Sequence, residues 1–239
     1  MTLPNLDDQG KEVTTCLGAA AIALPSSRAH GFIRSNLPLA LVPGVPEIRL
    51  HKAGPASGLS RLADSEPDFA TPYWAYHWGG GLALARYVLD HPACVAERRV
   101  LDLGAGSGLV AIAAAKSGAN HITAADIDPY AMAAIALNAV ANNVTLATHL
   151  GDLTTGPPPD VGTILVADLF YAADLADRVT RFLDNCLAAN IDILIGDPLR
   201  AYLPRERLKL LAEYPGFDFG DSAARAKATN AVFRFVASA

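Results

Sequence analysis

A chain of 239 residues, 51% apolar and 18% charged, can bury one substantial core, which excludes a disordered or fibrous protein. Its net charge of −5 at pH 7 speaks against a general nucleic-acid binder, and no run approaches the roughly 18 apolar residues that span a membrane. Cys16, Cys94 and Cys186 are odd in number and scattered, so they suggest neither a disulfide framework nor a metal site and suit a reducing cytoplasm.

Residues 1–70 read as an N-terminal appendage that covers a catalytic domain spanning 71–239. Pro25, Pro38, Pro43, Gly44, Pro46, Gly54, Pro55 and Gly58 punctuate this segment. The apolar run Cys16–Leu24 has the length of a signal-peptide core. Asp7, Asp8, Lys11 and Glu12 precede it instead of a basic start, so the expectation is an amphipathic or buried helix over 11–24. A short strand is expected over Glu47–His51. The stretch Thr71–Gly81 then gathers both tryptophans, two of the seven tyrosines and three consecutive glycines. Such a cluster reads either as core packing or as a lid whose aromatic faces meet a cationic ligand. Trp74 fits both readings equally, whereas Trp78 adjoins the glycines and reads as ligand-facing. Leu82–Leu89 follows as a helix.

Val100–Leu103 has the apolar continuity of a buried strand, with Asp102 inside its end. Gly104, Gly106 and Gly108 make a tight turn, and Leu109–Lys116 has a helical composition closed by Gly118. A dinucleotide fingerprint would place its third glycine at 109, where this chain has Leu109. The next strand, His121–Asp126, ends in an acid 18 residues past Gly108 (126 − 108), where a carboxylate can accept both hydroxyls of a ribose. Asp128 before Pro129 reads as the N-cap of a helix over Pro129–Ala141, which leaves Asp126 for the sugar.

Val144–Leu150 is read as the third strand, ending at Asp152, which is either an acceptor for an adenine amino group or a surface-turn residue. A rigid loop with three prolines covers Thr154–Asp160. The fourth strand ends in Asp168-Leu169-Phe170-Tyr171. A helix over Leu175–Ala188 and a fifth strand over Asp192–Gly196 follow, with Asp197-Pro198 just beyond. The remainder reads as a short helix over Arg205–Glu213 and strands over Phe217–Phe219 and Ala231–Val236. Strands alternating with helices give an α/β, Rossmann-like, mostly parallel sheet with helices on both faces. Gly104, Asp126, Asp152 and Asp168 all fall at carboxyl ends of its strands, where such sheets bind ligands.

Leu101–Gly108, Asp126 and Asp168–Tyr171 resemble class I, seven-strand methyltransferases. More narrowly, Asp-x-Phe-Tyr after the fourth strand is similar to a family of protein-lysine methyltransferases. Pro46–Leu50, Pro72–Gly80 and Ala85–Pro92 are similar to its branch acting on the β subunit of electron transfer flavoprotein. The resemblance implies a seven-stranded sheet and S-adenosyl-L-methionine as cofactor, held by Trp78, Asp102, Gly104, Ala105, Gly106, Gly108, Asp126, Ile127, Asp152 and Asp168. It implies Asp168 and Tyr171 as the catalytic pair at the substrate amine, with no metal. The implied partner is a protein, the electron transfer flavoprotein β subunit, and neither nucleic acid nor membrane. A cytoplasmic monomer is expected. Leu169 and Phe170 stand where methyltransferases of nucleic-acid amino groups carry prolines.

A lysine, with its ordinary pKa of about 10.4, must lose a proton before attack. Burial favours that loss, and Asp168 can hold the amine in line. Alternatively, Asp168 caps the helix beginning near Ala172. The competing functions are methylation of a ribosomal protein and a cofactor-binding scaffold without turnover. Arg200, Arg205, Arg207 and Lys209 read either as a docking patch for an acidic partner or as a solvated face.

Overall fold

The computed structural model describes residues 26–66, 69–216 and 229–237. The helix expected over 11–24, the strand over Phe217–Phe219 and Cys16 lie outside them. In chain order, helix α1 (Ser26–Asn36) leads into an antiparallel hairpin of β1 (Leu39–Val42) and β2 (Val45–His51), followed by α2 (Leu59–Ser65) and α3 (Gly79–Asp90). Then come β3 (Arg99–Leu103), α4 (Leu109–Lys116), β4 (His121–Asp126), α5 (Pro129–Ala141), β5 (Ala147–Leu150) and β6 (Thr163–Ala167). The chain continues through α6 (Ala173–Ala188), β7 (Asp192–Asp197), β8 (Leu208–Pro215) and β9 (Thr229–Phe235).

Seven strands form one sheet in the order β5-β4-β3-β6-β7-β9-β8. The first five are parallel, and β9 enters antiparallel to both β7 and β8. After β3 the connections run outward to β4 and β5, and then the chain returns to place β6 on the other side. The crevice where they part is the place where such sheets hold ligands. The register aligns its rim: Leu103 stands opposite Ala125 and Val166, Asp126 opposite Leu150, and Ala167 opposite Gly196. The residues just past these positions, Gly104, Gly151, Asp168 and Asp197, therefore project from one edge.

Alternation along the strands divides the core. Val100, Leu165 and Leu194 face α3, α4 and the β1–β2 hairpin, whereas Leu101, Ile164 and Ile193 face α6. A third cluster joins α1 and α2 to α5 through Ala29, Ile33, Leu59, Trp74, Tyr130 and Ala134. Two buried asparagines, Asn138 of α5 and Asn142 at its C-cap, bind the hairpin to this layer. Asn138 Oδ1 accepts the His51 N–H at 2.8 Å while its Nδ2 donates to the Ser107 carbonyl at 2.8 Å. Asn142 pairs with both backbone groups of Arg49. Asn138 thus couples the N-terminal segment to the glycine turn.

Three expectations need correction. Arg205–Glu213 is not a helix: a 3-10 turn at Arg205–Arg207 leads into β8, which pairs with β9. The stretch is rich in Arg, Glu, Lys and Leu, all good helix formers, and tertiary strand pairing overrides that preference. The glycine triplet is not a lid. Gly79–Gly81 form the first turn of α3, which begins three residues earlier than Leu82. The third parallel strand covers only Ala147–Leu150. No described helix is long and apolar enough to cross a membrane.

Candidate active site

The glycine turn after β3 places three residues in the left-handed region, with φ of +70° at Gly104, +52° at Gly106 and +80° at Gly108. A Cβ at Gly104 would lie 2.7 Å from Leu169, which ties this turn to the end of β6. Gly108 supplies no side-chain cap to α4. Asp102 does so from the strand beneath: its Oδ2 accepts the Ala111 N–H at 2.9 Å, one of the helix's otherwise unpaired first-turn donors. Burial pushes the Asp102 carboxyl up to about 7, and the neighbouring charge of Asp126 adds to the rise.

Asp126 closes the turn. Its Oδ2 accepts the Gly106 N–H at 2.8 Å and its Oδ1 the Asp128 N–H at 3.0 Å. Asp128 itself caps α5 by accepting the Tyr130 N–H at 2.7 Å. Asp128 is thus the N-cap its place before Pro129 suggests, and Asp126 lines the cavity. Burial raises the Asp126 carboxyl, against the lowering by these amides. Asp152, after β5, accepts from the Thr154 N–H at 2.9 Å and lies 3.4 Å from Arg178 Nε. What burial there is raises its carboxyl, but Thr154 and Arg178 outweigh it and hold it below the usual range.

The other end of the crevice is built differently. Asp168 is a non-glycine residue at φ +59°, a strained conformation that aspartate tolerates better than most. Its N–H pairs with the Gly196 carbonyl at 3.1 Å, fixing the end of β6 to β7. Its Oδ2 accepts the Gly81 N–H at 2.8 Å, and its Oδ1 accepts from Arg200 Nη2 at 2.7 Å. The cap of α6 is Ala172, with no side-chain bond, so Asp168 serves the N-terminus of α3 rather than that of α6. The glycine triplet makes this possible. A Cβ on Gly80 would stand 2.2 Å from the Gly196 carbonyl oxygen and 2.7 Å from Asp168 Oδ2, so only glycine lets the helix end approach so closely.

An aromatic group borders Asp168. Tyr73 lies 5.6 Å from Tyr171 and 5.7 Å from Trp78 between ring centroids, and Trp78 Nε1 donates to the Tyr73 carbonyl. Tyr171 is about half exposed, and burial of the remainder raises its phenol. Trp74 belongs to the core: it is 1% exposed and stacks on Tyr130 with centroids 5.8 Å apart.

A single cavity of about 610 Å3 joins the two ends. Trp78, Asp102, Gly104, Ala105, Gly106, Asp126, Ile127, Asp152, Asp168 and Tyr171 all line it, whereas Gly108 does not. Gly108 faces α5, where a Cβ would press on Ile135 at 3.2 Å. Ile127, 71% exposed, forms the outer wall. Sequence reasoning missed Arg178 and His77 in the lining and gave Arg200 only a surface role. It also passed over Asp197, which is wholly buried with one oxygen on the Arg200 N–H at 2.6 Å. The only sequence signal for Asp197 was an acid at a strand's carboxyl end.

The family described as ribosomal protein L11 methyltransferase (PrmA) matches residues 84–191. The electron transfer flavoprotein β-subunit lysine methyltransferase of Xenopus laevis is 38% identical over 194 residues, covering 77% of this chain and 78% of that protein. That of Rattus norvegicus is 41% identical over 179 residues, covering 71% and 69%. The crystal structure of a putative RNA methyltransferase from Pyrococcus horikoshii shares the fold, with a TM-score of 0.51, 14% identity, and coverage of 77% of this chain and all of that one. The protein is an S-adenosylmethionine-dependent methyltransferase with a Rossmann-like sheet, and on sequence it belongs to the electron transfer flavoprotein β-subunit lysine methyltransferase family.

Proposed function

We propose that this enzyme methylates lysine side chains of the electron transfer flavoprotein β subunit. The observation that carries the reading is that one cavity joins the Gly104–Gly106 turn and Asp126 to the Asp168–Tyr171 aromatic end. The first end fits a nucleoside. Asp126 is fixed by two amides with lone pairs left for ribose hydroxyls, the glycine backbone is bare, and Leu103, Ile127 and Leu153 are apolar neighbours for a purine. Asp152 is the polar group on that side, available to an adenine amino group. Asp102 supports the turn from below.

The second end fits a primary amine. Asp168 accepts an N–H, and Tyr73, Trp78 and Tyr171 surround the methylene stem and exclude water. Bound S-adenosylmethionine supplies a methyl group on a sulfonium, an excellent leaving group. The amine nitrogen's lone pair forms the N–C bond as the C–S pair leaves with sulfur, and the new ammonium gives its proton to solvent or Asp168. What these residues contribute is alignment and dryness more than bond activation.

Cys94 and Cys186, free thiols among the described residues, suit the proposed cytoplasmic setting. Packing of α1 and α2 on α5 supports reading the segment before residue 70 as a cover on the catalytic domain. The L11 methyltransferase match favours a second reading, a ribosomal-protein substrate. Purified enzyme, cofactor and either electron transfer flavoprotein or ribosomal protein L11, followed by peptide mass spectrometry, separates the two. Methyl-lysine on the flavoprotein β subunit is expected. Methylation of L11 alone overturns the first reading.

A further inference from the structure

The amine end of the cavity already holds a cation. Arg200 Nη2 donates to Asp168 Oδ1 at 2.7 Å, and the guanidinium lies 5.8 Å from the centre of the Trp78 ring. Its backbone N–H is fixed to the buried Asp197, and it lines the same cavity as Trp78, Asp168 and Tyr171. Asp168's second oxygen meets the Gly81 N–H. The charge of Asp168 is therefore matched before any substrate arrives.

We propose, on the protein-lysine reading above, that Arg200 is a specificity-determining residue that makes the site take the entering amine in its uncharged form. A bare carboxylate would bind an ammonium tightly and protect its proton, which disables the nucleophile. With Arg200 paired to that carboxylate, the guanidinium cancels most of the attraction for an ammonium, which must still give up its hydration to enter a partly dry cavity. A neutral amine suffers no such penalty. Its N–H can be donated to an Asp168 carboxylate oxygen, and its nitrogen lone pair stays open to the methyl group. The proton is left in solvent on entry. A fixed cation beside an amine is a general device for lowering its basicity.

Among the described residues, the charged and titratable groups around the amine position are Asp168 and Tyr171 after β6, Asp197 and Arg200 after β7, Tyr73, Tyr76 and His77 before α3, Asp126 after β4, and Arg178 on α6. Burial holds His77 below its usual value, aided by Lys52, and pushes Asp197 up to about 7. Asp197 therefore needs its own control.

The test compares wild type with Arg200→Gln, whose amide can still donate to Asp168. The pH dependence of kcat, measured at saturating electron transfer flavoprotein and cofactor, reports groups in the substrate complex. The rising limb should move to higher pH by about one unit or more, with a roughly tenfold loss near neutrality that is recovered in alkali. Asp197→Asn should leave the limb in place. An equal loss at every pH, or a limb that follows Asp197→Asn instead, overturns the proposal.

A second readout needs no turnover. n-Butylamine is titrated into the S-adenosylhomocysteine-bound protein and followed by NMR. Wild-type affinity should rise with pH as free base accumulates, and Arg200→Gln should lose that dependence. Wild-type affinity that ignores pH, or no amine binding, also overturns it. Wild type that selects the free base yet leaves the flavoprotein unmethylated defeats the substrate reading alone.

Discussion

The two ends of the cavity hold their carboxylates by opposite means. Asp126 is clamped by the amide of Gly106, in the turn after the adjacent strand β3, and by that of Asp128, two residues on. Asp168 is held by the first turn of α3 and by a side chain 32 residues downstream, from a backbone already strained at φ +59°. Backbone turns at the ends of two adjacent strands build the cofactor end. The acceptor end is assembled from three distant segments, so it depends on tight packing between α3 and β7 and is open to variation around the substrate.

The sharpest way to break that contrast is Gly80→Ala. A methyl 2.2 Å from the Gly196 carbonyl has backbone on its far side and nowhere to go, so loss of folding, or destabilisation of about 3 kcal/mol or more, is expected in denaturant titration. Gly106→Ala is the comparison at the cofactor end. Its nearest neighbour would be Trp74 Cα at 3.8 Å, leaving only the left-handed φ to cost about 1–2 kcal/mol. Equal losses would show the acceptor end to be no more tightly packed.

Next in size is Asp168→Asn, which tolerates the same backbone and keeps an acceptor for Gly81. Turnover should fall at least about 100-fold with cofactor affinity within a few-fold. Near-normal turnover would leave Asp168 a cap of α3 and nothing more. Asp126→Ala should do the converse, weakening S-adenosylmethionine binding by about 2–4 kcal/mol in calorimetry with the fold intact.

A smaller effect links the two ends. Asp102 and Asp197 are both pushed up to about 7 by burial, so each binds its proton more tightly folded than unfolded. Their contribution to stability is complete below the ordinary carboxylate pKa and is lost as pH rises towards 7. Wild-type denaturation midpoints should therefore fall between about pH 4 and 7, and Asp102→Asn or Asp197→Asn should each flatten that fall. A midpoint unchanged in slope by either substitution would assign the decline elsewhere. The mildest change is Tyr171→Phe. The ring, half exposed and packed on Tyr73, supplies shape, and kcat should stay within a few-fold; a loss near that of Asp168→Asn would assign the work to the hydroxyl.

Most strands of the sheet, the glycine turn and the capping of α5 by Asp128 were legible in residue type and spacing. The turn and the cap depend on residues close together in the chain and the buried strands on continuous apolar runs, so spacing and residue type are enough to mark them. The sequence also brought Gly104, Asp126, Asp152 and Asp168 to one edge, because parallel strands joined by helices leave no other arrangement. Long-range packing was needed to show that Gly79–Gly81 begin a helix against β7, that Trp74 is buried on Tyr130 although it too lines the cavity, and that Arg205–Glu213 forsakes a helical composition to pair with β9. The bond from Arg200 to Asp168 belongs with these. It depends on where β7 ends relative to β6, a long-range register that no local pattern in the chain encodes.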